Sequence, residues 1–187
     1  MSDYDCPSAQ VGYAVSGHTV DNQRRTSRRN AARRAARLAA VQALYQIDQT
    51  GYDADLASQV IAEFSDGPVG VGEDQCGSSD AALFAKLVRG VIERRGEIDT
   101  AIAASLAAGS NPQRIQVLLR AILRAGGYEL LVSDDVPVAV IINEYIEIAH
   151  AFFDPPESAY VNGVLDKMAR RARGDPLPAS SKTTEFG

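Results

Sequence analysis

Apolar residues recur at helical spacing along most of this chain, and this pattern constrains the fold more than any other feature. In one segment, Leu83, Leu87, Val88, Val91 and Ile92 follow one another at intervals that return to one helix face. A half-buried strand would instead need strict alternation of apolar and polar residues. No convincing pair of alternating segments occurs in the sequence, so it predicts an all-α protein.

The periodic segments predict a compact bundle of about seven helices. Residues 1–26 and 174–187 lack periodicity and are predicted to be disordered extensions, which leaves 27–173 as the helical domain. In the fifth predicted helix, adjacent Gly126 and Gly127 indicate either a close helix crossing or a weak point. The predicted ranges are 27–49, 53–64, 80–95, 97–107, 111–131, 137–149 and a last helix that ends near 171.

Several functional classes are excluded by motifs that the sequence lacks. No stretch of about 18 apolar residues occurs, and no leader-like pattern precedes residue 17, so a cytoplasmic protein is expected. Cys6 and Cys76 give no disulfide framework. There is no phosphate-binding GxxxxGK[ST], GxGxxG or HExxH motif, and His150 has no recognisable nucleophile nearby in sequence. We therefore expect no enzymatic activity, no cofactor and no metal.

Charge is distributed very unevenly along the chain. The net charge is −5, yet the span from Arg24 to Arg37 holds seven arginines and no acid. The following span, 38–85, holds eight acids and no lysine or arginine. Charges more than about 8 Å apart are largely screened in physiological salt, so the local field decides what binds. The seven arginines (the arginine cluster) therefore predict an anionic partner despite the acidic whole.

Helical spacing places Arg29, Arg33 and Arg37 on one face of the first helix, with Arg34 beside them. We expect these guanidinium groups to face solvent, with small alanines on the opposite side. Like charges four residues apart repel, so a ligand that supplies counter-charge would stabilise this face. Arginine pairs with phosphate through two hydrogen bonds and stacks on bases, which favours RNA.

Two tyrosines extend this hypothesis. Tyr45 lies further along the first helix and Tyr160 opens the last, and single-stranded bases stack on exposed aromatic rings beside positive charge. Residue spacing alone leaves alternatives open. The arginine cluster is equally consistent with a solvated basic face, or with a protein-interaction module that binds an acidic partner or a second copy of itself.

Three segments of the chain resemble one known family. They are ARRAARLAAVQALYQ at 32–46, DVPVAVIINEYIEIA at 135–149 and YVNGVLDKMAR at 160–170. With FAKLVRGV and LLRAILRAGGYEL between them, in order, the chain is similar over roughly 28–173 to the NusB family of bacterial transcription antitermination factors.

This resemblance implies a fold of two packed sub-bundles and a function without catalysis. It implies binding of single-stranded boxA RNA in ribosomal-RNA leader transcripts together with NusE, a small-subunit ribosomal protein, within an RNA polymerase antitermination complex. Acids on the later helices, expected to be exposed, would complement NusE: Glu129, Glu144 and Glu147. The expected RNA-binding residues are Arg29, Arg33, Arg34, Arg37, Gln42, Tyr45, Tyr160 and Lys167.

Overall fold

The structure is a computed structural model that describes residues 17–51, 58–63, 80–107 and 110–174. These residues contain helices and no strand, which confirms the all-α prediction. None of the described helices is both long and apolar enough to cross a membrane. The elements are α1 (Gly17–Thr50), a helical segment at 58–63 (α2), α3 (Ala81–Glu93), α4 (Arg95–Ser105), a 3₁₀ turn (Pro112–Arg114), α5 (Val117–Val132), α6 (Val138–His150) and α7 (Pro155–Arg173).

Helix α5 forms the centre of the bundle. It contacts α1, α3, α4, α6 and α7, and every residue from 121 to 130 is buried. A helix that is apolar on nearly all sides is stable only when other helices surround it. Around it, α6 and α7 form one contacting pair, and α1 and α3 form another. The two sub-bundles therefore share α5.

Small residues allow the central helices to approach closely. A Cβ atom added at Gly126 would lie 3.0 Å from the Leu165 side chain of α7, and one added at Gly127 would lie 2.6 Å from Met168. Helix α5 runs through both glycines without a break. Of the two interpretations of this pair, a close helix crossing is therefore the one that the structure supports.

Several helices begin or end close to the residues that the sequence predicted. The Asp80 side chain caps α3 by accepting a hydrogen bond from the Leu83 amide at 3.0 Å, as expected for an N-cap aspartate. Helix α7 begins at Pro155, and Gly174 ends it in a left-handed conformation with φ 64°.

Two predicted starts are wrong. Helix α1 begins at Gly17, well before the expected Ser27, because a helix already formed can extend through polar residues without an apolar stripe. Helix α5 begins at Val117, because Pro112 opens a 3₁₀ turn instead. The predicted extension at 1–16, the loop at 65–79 and the tail after Gly174 lie outside the described residues.

Candidate nucleic-acid interface

The arginines of α1 turn gradually from solvent into the core. Four residues advance an α-helix by about 40° more than one full turn, so a four-residue spacing drifts around the helix. Arg29 is accordingly exposed, Arg33 is half-buried and Arg37 is only 3% exposed. The expectation that all three guanidinium groups face solvent is therefore wrong for Arg37.

Arg37 belongs to a buried polar cluster. Its Nη2 and Nε donate to the two carboxylate oxygens of Glu129 at 2.6 and 2.9 Å, and the Tyr145 hydroxyl donates to Glu129 at 2.9 Å. Burial lowers the pKa of the Arg37 guanidinium, but its pairing with Glu129 outweighs this effect and leaves the pKa raised. Burial, helped by the charge of Glu129, raises the pKa of the Tyr145 hydroxyl well above its ordinary value, which keeps it protonated and donating.

Glu129 is 1% exposed, so the expectation that it is an exposed acid available to a protein partner is also wrong. The reason is that the buried guanidinium of Arg37 needs a carboxylate beside it. Glu144 is partly committed as well, because it pairs with Arg34 at 3.1 Å and with Arg37 at 3.5 Å. Of the three acids, only Glu147 is in the exposed state that was expected, on α6.

The protein thus supplies counter-charge to two members of the arginine cluster. Arg34 keeps more than half of its side chain exposed beside Glu144, and the hydrogen bond to that carboxylate raises its pKa. We expected an external anion to relieve the repulsion among these arginines. At this end of the cluster, carboxylates of the protein itself relieve it.

Arg24, Arg25, Arg28 and Arg29 form the other end of the cluster, which we call the exposed arginine set. All four side chains are exposed, and no acid whose side chain the structure describes, from residue 23 onwards, pairs with any of them. Residues 23–30 are exposed on every side and carry no apolar side chain. This part of α1 therefore extends away from the core as a basic helix.

Between the exposed arginine set and the buried cluster lies a cleft of about 390 Å³. It lies between α1 and α6, with Arg33 and Arg34 on one wall and Val140 and Glu144 on the other. The Nε atom of Arg33 is buried and has no hydrogen-bond partner among the described residues. A buried donor without an acceptor is costly, and an anion entering the cleft would satisfy it.

Further along α1, Gln42 and Tyr45 are exposed, and the Tyr45 side chain is 39% exposed. The next turn is anchored by Asp48, which accepts hydrogen bonds from Arg120 and Arg124 of α5. Burial raises the pKa of the Asp48 carboxyl, but these two guanidinium groups outweigh it and lower the pKa below its ordinary value. The end of α1 that carries Tyr45 is thereby held against the start of α5.

Tyr160 lies in a different cavity, of about 520 Å³, between the 3₁₀ turn and the first turn of α7. Arg114 and Glu157 line the same cavity, and so does Leu119. Tyr160 is half-buried, and burial raises the pKa of its hydroxyl. Leu119 precedes Arg120, the partner of Asp48, so Tyr45 and Tyr160 lie at the same end of the bundle. Sequence reasoning missed Arg114, since nothing in the local pattern signalled that the 3₁₀ turn would place it beside α7.

The basic residues late in α7 serve mostly structural contacts. Arg170 pairs with Asp166 at 2.9 Å, and Arg171 donates to the Ala104 carbonyl. Arg173 donates to three carbonyls at the end of α5 and in the connection to α6. Lys167 is exposed two turns after Tyr160 and therefore on the same helix face.

The structure thus divides the predicted site into two regions. Arg29, Arg33 and Arg34 lie towards the N-terminal end of α1, whereas Tyr45 and Tyr160 lie at the opposite end of the bundle. Twelve residues of helix separate Arg33 from Tyr45, which corresponds to about 18 Å. An extended polyanion could contact both regions, whereas a small anion could contact only one.

Comparison with known proteins gives consistent matches. The model of the NusB family matches residues 34–170. The chain is 46% identical over 138 residues to the transcription antitermination protein NusB of Caulobacter vibrioides, which covers 73% of this chain and 91% of that protein. It is 44% identical over 154 residues to the transcription antitermination protein NusB of a Bradyrhizobium strain, over 81% of this chain and 90% of that protein.

Solved structures show the same fold. NusB of T. maritima superposes with a TM-score of 0.62 at 33% identity, over 76% of this chain and 94% of that one. A crystal structure of antitermination factors NusB and NusE in complex with dsRNA superposes with a TM-score of 0.58 at 22% identity, over 75% of this chain and 98% of that one. The exposed arginine set precedes the residues that the family model matches.

Proposed function

We propose, from the premise that this chain belongs to the NusB family, that it is an RNA-binding transcription antitermination factor. It binds boxA-type single-stranded RNA together with NusE and helps RNA polymerase pass terminators. It acts in the cytoplasm and catalyses no reaction. The relatives from Caulobacter vibrioides and the Bradyrhizobium strain carry the name transcription antitermination protein NusB, and one structural neighbour holds both NusE and RNA.

The observation that carries this proposal is the exposed arginine set. Four exposed guanidinium groups lie on one helix of a protein whose net charge is −5, and no acid with a described side chain pairs with them, so they create a local positive field. Phosphate contacts by such groups supply most of the affinity of a protein for a nucleic-acid backbone. The absence of apolar side chains at 23–30 disfavours docking of a folded protein there, because protein interfaces have apolar cores.

The residues assigned to RNA contact fall into two roles. Arg33, Arg34 and the exposed arginine set, which includes Arg29, contact the backbone, with the Nε of Arg33, which no described residue satisfies, as the most specific donor. Tyr45 and Tyr160 stack on bases at the other end of the bundle. Gln42 and Lys167 are exposed beside these positions and complete the surface. Arg37 is assigned to fold stability and not to RNA contact, since its guanidinium is buried against Glu129.

For the NusE contact, the exposed face of α6 is the candidate. Glu147 is exposed there, and Glu144 keeps part of its carboxylate accessible beside Arg34. These acids complement a basic ribosomal protein. Because Glu144 also pairs with Arg34, a partner on this face would release that arginine for RNA, which would couple the two binding events.

A gel shift with boxA-type RNA, with and without purified NusE, tests the proposal. We expect wild type to bind this RNA more tightly than a scrambled RNA, and NusE to increase the affinity. Arg33→Gln should weaken binding about tenfold, as for loss of a charge-assisted hydrogen bond. Arg94→Gln is the matched control, because Arg94 is already paired with Glu97 at 2.6 Å.

The alternative function is a protein-interaction module that uses the arginine cluster to bind an acidic partner or to form a homodimer. Sedimentation across a range of concentrations separates the two. Self-association that masks the exposed arginine set, with no RNA binding even at low salt, would overturn the proposed function.

A further inference from the structure

The cavity beside Tyr160 contains more polar groups than an aromatic platform needs. Its lining includes Arg114 of the 3₁₀ turn and both Glu157 and Tyr160 of α7. Its volume of about 520 Å³ is within the range of small-ligand sites. Gln116 and Ile115 form its wall towards α5. A cation, a carboxylate and an aromatic ring thus surround one open space.

Glu157 is the least expected member of this group. Its Oε2 atom is buried and has no hydrogen-bond partner, and neither of its oxygens pairs with a cation among the described residues. Glu157 lies in the first turn of α7, where the helix dipole favours a negative charge. Leaving a buried polar atom unsatisfied destabilises a protein unless a ligand or water supplies a donor. No described residue supplies a donor to this oxygen, and a ligand in the cavity would do so.

We propose that this cavity binds one unstacked guanine base of the RNA, an inference that rests on the proposed function. The base lies against the Tyr160 ring, and its N1–H and N2–H groups donate to the two oxygens of Glu157. Arg114 binds the phosphate of the same nucleotide. Stacking on an aromatic ring combined with hydrogen bonds to the Watson–Crick edge is how proteins recognise splayed single-stranded bases.

The other bases complement Glu157 less well. Guanine has two adjacent donors on its Watson–Crick edge, which match the two acceptors of a carboxylate. Adenine and cytosine each present one amino group beside a ring nitrogen that is itself an acceptor. Uracil presents one N–H between two carbonyl oxygens, which the carboxylate repels. We therefore expect the Glu157 carboxylate to favour guanine most and uracil least among the four bases.

Fluorescence anisotropy with labelled single-stranded oligouridylates of one length tests this assignment. One oligomer contains a single central guanosine, a second contains inosine at that position, and a third contains uridine throughout. Inosine lacks only the N2 amino group of guanosine. We expect wild type to bind the guanosine oligomer about five- to tenfold more tightly than the inosine oligomer, as for loss of one partner of a bidentate contact.

Three variants distinguish the roles of the cavity residues. Glu157→Gln should abolish the preference for guanosine over inosine without weakening the binding of the uridine oligomer, because the carboxylate that repels the uracil carbonyl oxygens is gone. Arg114→Gln should weaken binding of all three oligomers equally, because a phosphate contact does not depend on the base. Glu93→Gln, an exposed acid at the end of α3, should behave as wild type. Thermal melting of each variant confirms that it is folded.

A wild-type protein that binds all three oligomers with equal affinity would overturn the guanine site and leave the proposed function intact. A guanosine preference that persists in a folded Glu157→Gln variant would also overturn it. Failure to bind these oligomers or boxA-type RNA at all would overturn the proposed function and this inference together.

Discussion

At the scale of single residues, Arg37 shows how one position can look functional and prove structural. Its spacing from Arg33 is the same as that of Arg33 from Arg29, yet the three differ in burial from exposed to 3% exposed. Two steps of about 40° are enough to carry a side chain from solvent to the helix interface. The partner that holds it, Glu129, lies 92 positions away in the chain. Helical spacing contains no information about that pairing.

Replacing Arg37 should therefore affect stability first. Arg37→Met leaves Glu129 as a buried charge without a cation, and we expect the free energy of unfolding to fall by about 3–5 kcal/mol. Adding Glu129→Gln removes that charge and keeps an acceptor for the Tyr145 hydroxyl, so the double variant should regain most of this loss. Urea denaturation of both variants measures the difference.

The same double variant tests the RNA assignment. Because Arg37 is assigned no RNA contact, the folded double variant should bind boxA-type RNA as wild type does. A variant with wild-type stability but strongly reduced RNA affinity would return Arg37 to the RNA-binding surface.

At the scale of the helix, apolar spacing predicted α3 well and the polar end of α1 poorly. Leu83, Leu87, Val88 and Val91 are buried as expected, because a periodic apolar stripe reports directly on the face that meets the core. The stretch at 17–26 has no such stripe, and its helical state depends on continuation from the anchored part of α1. The cavity around Arg114 was not predicted either, because it depends on a 3₁₀ turn where the sequence pattern indicated the start of an α-helix.

The packing of α3 against α5 depends on Gly90. A Cβ atom at this position would lie 2.0 Å from the Tyr128 ring, so the ring would have to leave its buried place. We expect Gly90→Ala to lower the free energy of unfolding by about 1–3 kcal/mol. Gly96 of α4 is the control, because nothing lies within 4 Å of its added Cβ. Gly96→Ala should leave stability unchanged or raise it by up to about 1 kcal/mol. Equal melting temperatures for the two variants would contradict this account of the α3–α5 contact.

At the scale of the whole molecule, the ion pairs that the structure describes neutralise arginines of the core, and none of them involves the exposed arginine set. Ion pairs of Arg34, Arg37 and Arg124 lock α1, α5 and α6 together. The exposed arginine set extends beyond this core and precedes the residues that the family model matches. The fold class followed from apolar periodicity, and the uneven charge along the chain predicted a basic surface. Only the three-dimensional arrangement distinguishes the arginines that pair inside the bundle from those with exposed guanidinium groups.

The most direct test of this account is the salt dependence of RNA affinity. For single-stranded RNA, each phosphate contact contributes about 0.7 to the slope of log affinity against log salt concentration. Replacing Arg24, Arg25, Arg28 and Arg29 by Gln should preserve the fold, since all four are exposed, and should reduce the slope by roughly 2–3. A folded quadruple variant whose slope and affinity equal those of wild type would contradict the claim that this helix binds the RNA backbone.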